Sequence, residues 1–227
     1  MNIKEHWWKG LAIVLLVYTL IMGFLGRVPS LGVLEESIRN FYFHVPMWFT
    51  MIILFTIGVA YSLKYLSNQQ LQDDTKAVEF VNAGILFGIL GMVTGSLWAK
   101  FTWGEWWSND PKQNGSAIAL LLYFAYLILR NAIQEPQTKA RVSGVFNLFA
   151  FSAMIPLIFI LPRLTDSRHP GSGGNPGFNA YDLNYNLRFV FYPAVIGWTL
   201  LGVWLAQLSI RMKRLQYRVF NLEEFEG

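Results

Sequence analysis

The chain has 227 residues, is 54% hydrophobic and 16% aromatic, and carries only 14% charged residues, against about a quarter in an ordinary soluble domain. Its charges gather in short clusters between long apolar runs, and the formal net charge of +4 reads as Lys and Arg at one membrane face, not as a nucleic-acid surface. The absence of cysteine excludes a disulfide framework, thiolate metal ligation, Cys-x-x-Cys redox chemistry and any thioether-linked cofactor.

A bilayer core needs roughly 20 apolar residues in a helix. Six stretches meet or approach that length: 10–26, 45–66, 77–99, 116–129, 142–164 and 189–210. The fourth is short, and its helix is expected to begin near Asn114. Inside a bilayer each segment must satisfy its own backbone hydrogen bonds, so helix is the assignment throughout. The predicted fold is all-α: a single integral-membrane domain over 1–227 with six transmembrane helices. The first run follows Lys4 and Lys9 but lacks a small-x-small cleavage pattern, so it reads as an uncleaved helix.

Six spans put both termini on one side. That side carries eleven Lys and Arg, including the cluster Arg211, Lys213, Arg214 and Arg218, against seven on the other. The bias places both termini in the cytoplasm. Three long segments, about 27–43, 100–113 and 165–187, then face outward together. Charged residues look nearly absent from the helices proper, which argues against an ion-coupled transporter. Gly84, Gly88, Gly91 and Gly95, at small-residue spacing, predict close packing against another helix of this chain or of a partner.

The densest chemical signal is the run from Trp98 to Lys112, with Trp98, Trp103, Trp106 and Trp107 inside ten residues, broken by Gly104 and closed by Asp110-Pro111. One or two tryptophans at a helix exit are an aromatic belt. Four read as a shaped surface whose indole faces can stack on a flat conjugated ligand. The run resembles the tryptophan-rich "WWD" signature of haem-handling proteins in cytochrome c biogenesis. Within that superfamily the whole chain is similar to the six-helix CcmC family. One departure stands out, since the family has Trp immediately before the closing Asp and this chain has Asn109.

His44, followed by Val45-Pro46, falls at the predicted outer start of helix two, where Pro46 suits a first helical turn. His169 lies in a Pro- and Gly-rich outer loop able to fold over a ligand. By themselves these are an interfacial and a solvated His; the resemblance implies that both are axial ligands of haem iron. It further implies a non-covalent, transient haem b held on a cofactor-binding surface of Trp103, Gly104, Trp106, Trp107 and Asp110, with His44 and His169 as metal ligands. Ligating imidazoles must be deprotonated at the coordinating nitrogen, so binding should weaken in acid. Asp110 is expected to orient a Trp or a backbone amide. Arg39, Lys112 and Arg168 are candidate propionate partners or ordinary loop charges, and His6 reads as interfacial.

The implied role is haem delivery to a periplasmic haem chaperone, in company with the membrane and ATPase subunits of an ABC transporter, in contact with lipid and without nucleic acid. The chain would be a delivery component, not an enzyme, although it could assist bond formation on the chaperone. A WWD-family cytochrome c synthase is the alternative, and a membrane permease subunit the third reading.

Overall fold

A computed structural model describes residues 3–29, 34–169 and 185–219. Six helices are long and apolar enough to cross a membrane, as the six apolar stretches predicted. In chain order the elements are α1 (Ile3–Leu25), a 3-10 helix (Glu35–Asn40), α2 (Phe41–Asn68), α3 (Leu71–Trp103), α4 (Pro111–Ala132), α5 (Pro136–Ile155), a π turn (Pro156–Ile160), the short α6 (Leu161–Leu164) and α7 (Tyr185–Val219). The π turn carries α5 into α6, so they form one span. Helical continuity lets the backbone bond within its own segment, which is what hydrocarbon demands, with the ladder interrupted at Pro46 and Pro193.

Most elements run longer than hydropathy alone predicted, because their polar ends are helical too. The connections on the terminal side shrink accordingly. Only residues 69–70 separate α2 from α3, and only 133–135 separate α4 from α5. Local chemistry sets these ends. Gln69 turns left-handed (φ 57°) to close α2. Glu135 caps α5 by accepting from the backbone N–H of Gln137 (2.9 Å) and Thr138 (2.5 Å), with Pro136 in the first turn where its missing N–H is harmless.

The longer helices correct one expectation. Lys64, Asp73, Asp74, Lys76, Glu79 and Arg130 all lie within spanning helices, and Asp73, Asp74 and Glu79 are buried. They stand at the terminal end of the bundle. Arg130 grips Asp74 with two hydrogen bonds of 2.8 and 2.6 Å. Asp73 accepts from Lys64 (3.1 Å), Lys76 (2.9 Å) and Asn68 (2.9 Å). Hydropathy windows miss them because the apolar centre of each span dominates the average.

α2 and α3 form the most extensive helix pair, α1 packs chiefly on α7, and α4 packs on α5. The glycine stripe explains the α2–α3 contact. Methyl groups built on Gly84, Gly88, Gly91 and Gly95 would strike Phe55, Met51, Trp48 and His44 respectively. Those α2 positions run in reverse order at spacings of four, three and four, the antiparallel mate of the glycine stripe. The stripe therefore packs within this chain, with Leu120 of α4 also pressed on Gly88. Below it the core is fully buried, and the rings of Phe55 and Tyr123 stack at 3.6 Å between centroids. Apolar side chains such as Val14, Ile128 and Val145 face outward, as lipid contact requires.

Candidate functional site

His44 stands in the first turn of α2, not ahead of the helix as its sequence implied. The 3-10 helix runs into α2 without a break, so Pro46 falls at the helix's sixth residue, beyond its first turn. The result is a histidine on a rigid element. The Nδ1–H of its imidazole donates to the carbonyl of Gly91 at 3.0 Å, with Thr94 Oγ1 at 3.3 Å beside it. A carbonyl can only accept, so this bond fixes the tautomer and leaves Nε2 with its lone pair free. The ring fits because position 95 is glycine: a methyl there would stand 2.5 Å from His44 Cε1. Trp98 meets the ring edge-on at 5.9 Å, and Trp98 Nε1 donates to Ser37 Oγ at 3.2 Å.

The tryptophan run divides between helix and loop. α3 extends through Trp103, so Trp98 and Trp103 are helical. Gly104 ends the helix at φ +80°, a left-handed conformation open to glycine without steric cost, and Lys100 Nζ donates to its carbonyl at 2.8 Å. Trp106 (56% exposed) and Trp107 (37%) project from the loop that follows. Asn109 is also left-handed, at φ +54°. Asn is among the few residues with a side chain that tolerate this region, and a bulky Trp is not. The departure from the family pattern therefore suits the local backbone.

Asp110 joins the pieces. Its side chain is 1% exposed and accepts four hydrogen bonds. Oδ1 takes the backbone N–H of Lys112 (2.8 Å), capping α4, and Nδ1–H of His169 (2.8 Å). Oδ2 takes Ser167 Oγ (2.9 Å) and the backbone N–H of Arg168 (2.7 Å). Burial pushes the carboxyl up, but His169 and the two backbone donors outweigh it and hold the group below the usual carboxylate range. The anion thus fastens the 165–169 segment to the start of α4. Sequence reasoning gave Asp110 a Trp or an amide to orient; it holds two amides and a histidine, but no Trp. Trp103 meets the His169 ring edge-on at 5.0 Å.

Both histidines line one cavity at the outer end of the bundle. Its walls are mostly apolar, among them Trp48, Phe49, Met92 and Phe159, with Lys112 and Gln113 at hand. The π turn supplies Ile158 and Phe159. Gly115 lets α4 lie against the carbonyl of Leu157, which brings that turn to the cavity. About 150 Å³ is enclosed, well below the roughly 300–1,000 Å³ that surrounds a drug-sized ligand. The cavity is open to one side, so it can take the edge of a large flat ligand but not the whole of it.

Apart from Lys112, the remaining expected residues do not line this cavity. Trp103 and Asp110 reach it through His169, whereas Gly104, Trp106 and Trp107 lie outside its lining. Of the three candidate cations, Lys112 lines the cavity. Arg39 instead donates to the carbonyls of Gly23 (3.1 Å) and Gly26 (2.7 Å), closing α1, and pairs with Glu36. Arg168 contributes its backbone N–H to Asp110. The Gly-rich part of the loop that follows His169, residues 170–184, lies outside the described residues.

A family model described as "Heme exporter protein C" matches residues 2–222. The chain belongs to the CcmC family. Proteins named heme exporter protein C resemble it at modest identity: 27% over 142 residues in Rhodobacter capsulatus, 26% over 193 in Bradyrhizobium diazoefficiens and 23% over 228 in Escherichia coli K12. These matches cover 63%, 84% and 96% of this chain. They span 58%, 72% and 84% of the respective relatives. CcmC membership agrees with the six spanning helices and places the chain, as a multi-pass protein, in the bacterial inner membrane.

Three residues of this cavity that sequence reasoning had not assigned to it were legible in part. Trp48 sits four residues after His44, hence on the same face of α2, and Gly91 and Gly95 belong to a stripe already noted for packing. The π turn's role had no sequence signal beyond Pro156 and Pro162.

Proposed function

We propose that this chain holds haem at the outer end of the bundle, with His44 and His169 as axial ligands, and delivers it to a periplasmic haem chaperone in cytochrome c maturation. The observation that carries the reading is the paired tautomer. Each imidazole commits Nδ1–H to an acceptor, Gly91 carbonyl or Asp110 carboxylate, which leaves Nε2 as the lone-pair nitrogen, and both residues line one shared cavity. Metal-bound histidines are oriented by such partners.

The donor set suits haem iron, which takes neutral imidazole, and the apolar walls suit the face of a porphyrin. The absence of cysteine rules out thioether attachment, in keeping with a non-covalent haem b cargo. Lys112 is the cavity's cation for a propionate. An open cavity leaves much of the macrocycle outside, where Trp106 and Trp107 offer indole faces beside an incoming chaperone. The two ligands also differ in mounting. His44 rides a packed helix, and His169 a loop segment held mainly through one carboxylate. Ligation through the second can be undone without disturbing the bundle, as transfer to an acceptor requires. The chain acts as one membrane unit, without turnover of its own, alongside the ABC transporter subunits of the maturation system.

The test is an absorbance spectrum of detergent-purified protein expressed with ample haem, beside His44→Ala and His169→Ala. A low-spin bis-His spectrum in the wild type, altered in both variants while each remains folded, is the expected result. Wild-type protein that retains no haem under any loading condition would remove the reading.

A further inference from the structure

The end of the bundle opposite the histidines holds a second cavity, of about 440 Å³, between the start of α3, the end of α4, the start of α5 and the end of α7. By the Lys and Arg bias this is the cytoplasmic end. Its lining mixes signs: Asp74, Glu79, Arg130, Lys139 and Lys213 all face it. Asp74 and Arg130 satisfy one another through their two-pronged pair. The other three do not. Glu79, two turns into α3, is only 6% exposed, and its one hydrogen-bond contact among the described residues is Asn82 Nδ2 at a long 3.5 Å. Lys139 and Lys213, on α5 and α7, have no ion-pair partner among the described residues.

A buried carboxylate with so little compensation calls for a cation that can also donate hydrogen bonds. Two ammonium groups on the facing helices, Lys139 partly buried and Lys213 exposed, offer an anion two partners. One ligand carries both: a primary ammonium joined to a phosphate by a short linker. The cavity also has an apolar side, with Leu71, Val78 and Leu127 in its lining. Pockets between helices at the cytoplasmic interface are places where lipid headgroups lodge.

We propose that this cavity binds a phosphoethanolamine group, its ammonium on Glu79 and its phosphate between Lys139 and Lys213. The source is either the headgroup of a membrane lipid, with chains leaving past Val78 and Leu127, or a soluble phosphoethanolamine ester.

The test is native mass spectrometry of the full chain in mild detergent, titrated with short-chain phosphatidylethanolamine, phosphatidylcholine and phosphatidylglycerol, and separately with glycerophosphoethanolamine. Phosphatidylethanolamine should be retained roughly tenfold better than phosphatidylcholine, whose quaternary ammonium donates no hydrogen bond to Glu79. It should also exceed phosphatidylglycerol, which lacks the amine. Glu79→Gln should remove both preferences, and the double variant Lys139→Ala/Lys213→Ala should weaken all three lipids. Effective competition by glycerophosphoethanolamine assigns a soluble source; failure to compete while the lipid still binds assigns the bilayer. Equal retention of the three lipids by the wild type would overturn the proposal, and this arm holds even where a variant fails to fold. Unchanged selectivity in a folded Glu79→Gln protein would overturn it equally.

Discussion

Asp110→Asn separates two jobs that one carboxylate performs. Asn is as good a helix N-cap as Asp, so the bond from Lys112 N–H and the start of α4 survive. The side-chain amide has only one acceptor oxygen. If that oxygen keeps the Oδ1 position, it still serves Lys112 and His169, but as a neutral acceptor of roughly half the strength. The NH₂ group then replaces Oδ2. It can donate to Ser167 Oγ, but it meets the N–H of Arg168, now 2.7 Å from Oδ2, donor against donor. The flipped amide is worse, since it opposes both Lys112 and His169. The hydrogen bond from Arg168 to a charged, buried acceptor is lost, and the two at Oδ1, from Lys112 and His169, are weakened. Such bonds contribute about 1.5–3 kcal/mol each, so a net loss of about 2 kcal/mol in holding His169 is expected. That corresponds to a roughly 30-fold weaker haem complex, within the 10–100-fold typical of a partner that orients a metal ligand. Haem titration of the detergent-solubilised protein by absorbance reads this directly, with thermal unfolding of the apoprotein expected to change little. The decisive measurement is the cycle with His169→Ala. On that background Asp110→Asn should cost almost nothing further. Full persistence of the loss there would refute the claim that Asp110 acts through His169.

Gly95→Ala should weaken haem binding about as much as His44→Ala, because the added methyl would stand 2.5 Å from the imidazole and drive it off the Gly91 carbonyl; Gly84→Ala, pressed on Phe55, should instead lower the unfolding midpoint by an overpacking cost of about 1–3 kcal/mol. Paired haem titration and thermal unfolding of the two variants check the contrast, and identical profiles would contradict it. Arg130→Ala leaves the buried Asp74 carboxylate alone and should destabilise by about 3–5 kcal/mol in chemical denaturation, with much of that recovered in Arg130→Ala/Asp74→Ala. Asn109→Trp, which restores the family residue, should destabilise this loop by about 1–2 kcal/mol because the backbone is left-handed there; Asn109→Gly should be tolerated, and limited proteolysis of the 104–110 segment reports the difference.

The spans were legible because hydrocarbon imposes one rule on every residue inside it, and an average over 20 positions detects that rule. The ends were less legible because they follow single contacts. Asp73, Asp74 and Arg130 looked like loop charges, yet they are helical: Asp74 meets Arg130 across 56 residues of chain, and Asp73 is held by Lys64 at the end of α2 and by Lys76 on its own helix. Pro46 looked like a helix start because it fits one; nothing local announces that a 3-10 turn already leads into α2. The glycine stripe was visible, but its meaning needed α2 beside it, and only then does Gly95 become the space for an imidazole.

The same distinction runs through the site. Histidine is rare in this chain, with three residues, and the tryptophans cluster, so His44, His169 and the tryptophan run stood out as residues. The proposed ligand pair rests on a relation: Nδ1 of each occupied, Nε2 of each left over, both rings on one cavity. Asp110 shows it most plainly. As the last letter of a motif it could be assigned to a Trp or an amide, and its tie to His169, 59 residues on, is a fact of the fold alone. Buried carboxylates persist in membrane proteins only where something compensates them. Among the described residues, Asp110 is compensated by the site it builds, Asp73 by Lys64 and Lys76, and Asp74 by Arg130, which leaves Glu79 as the buried carboxylate still in want of a cation.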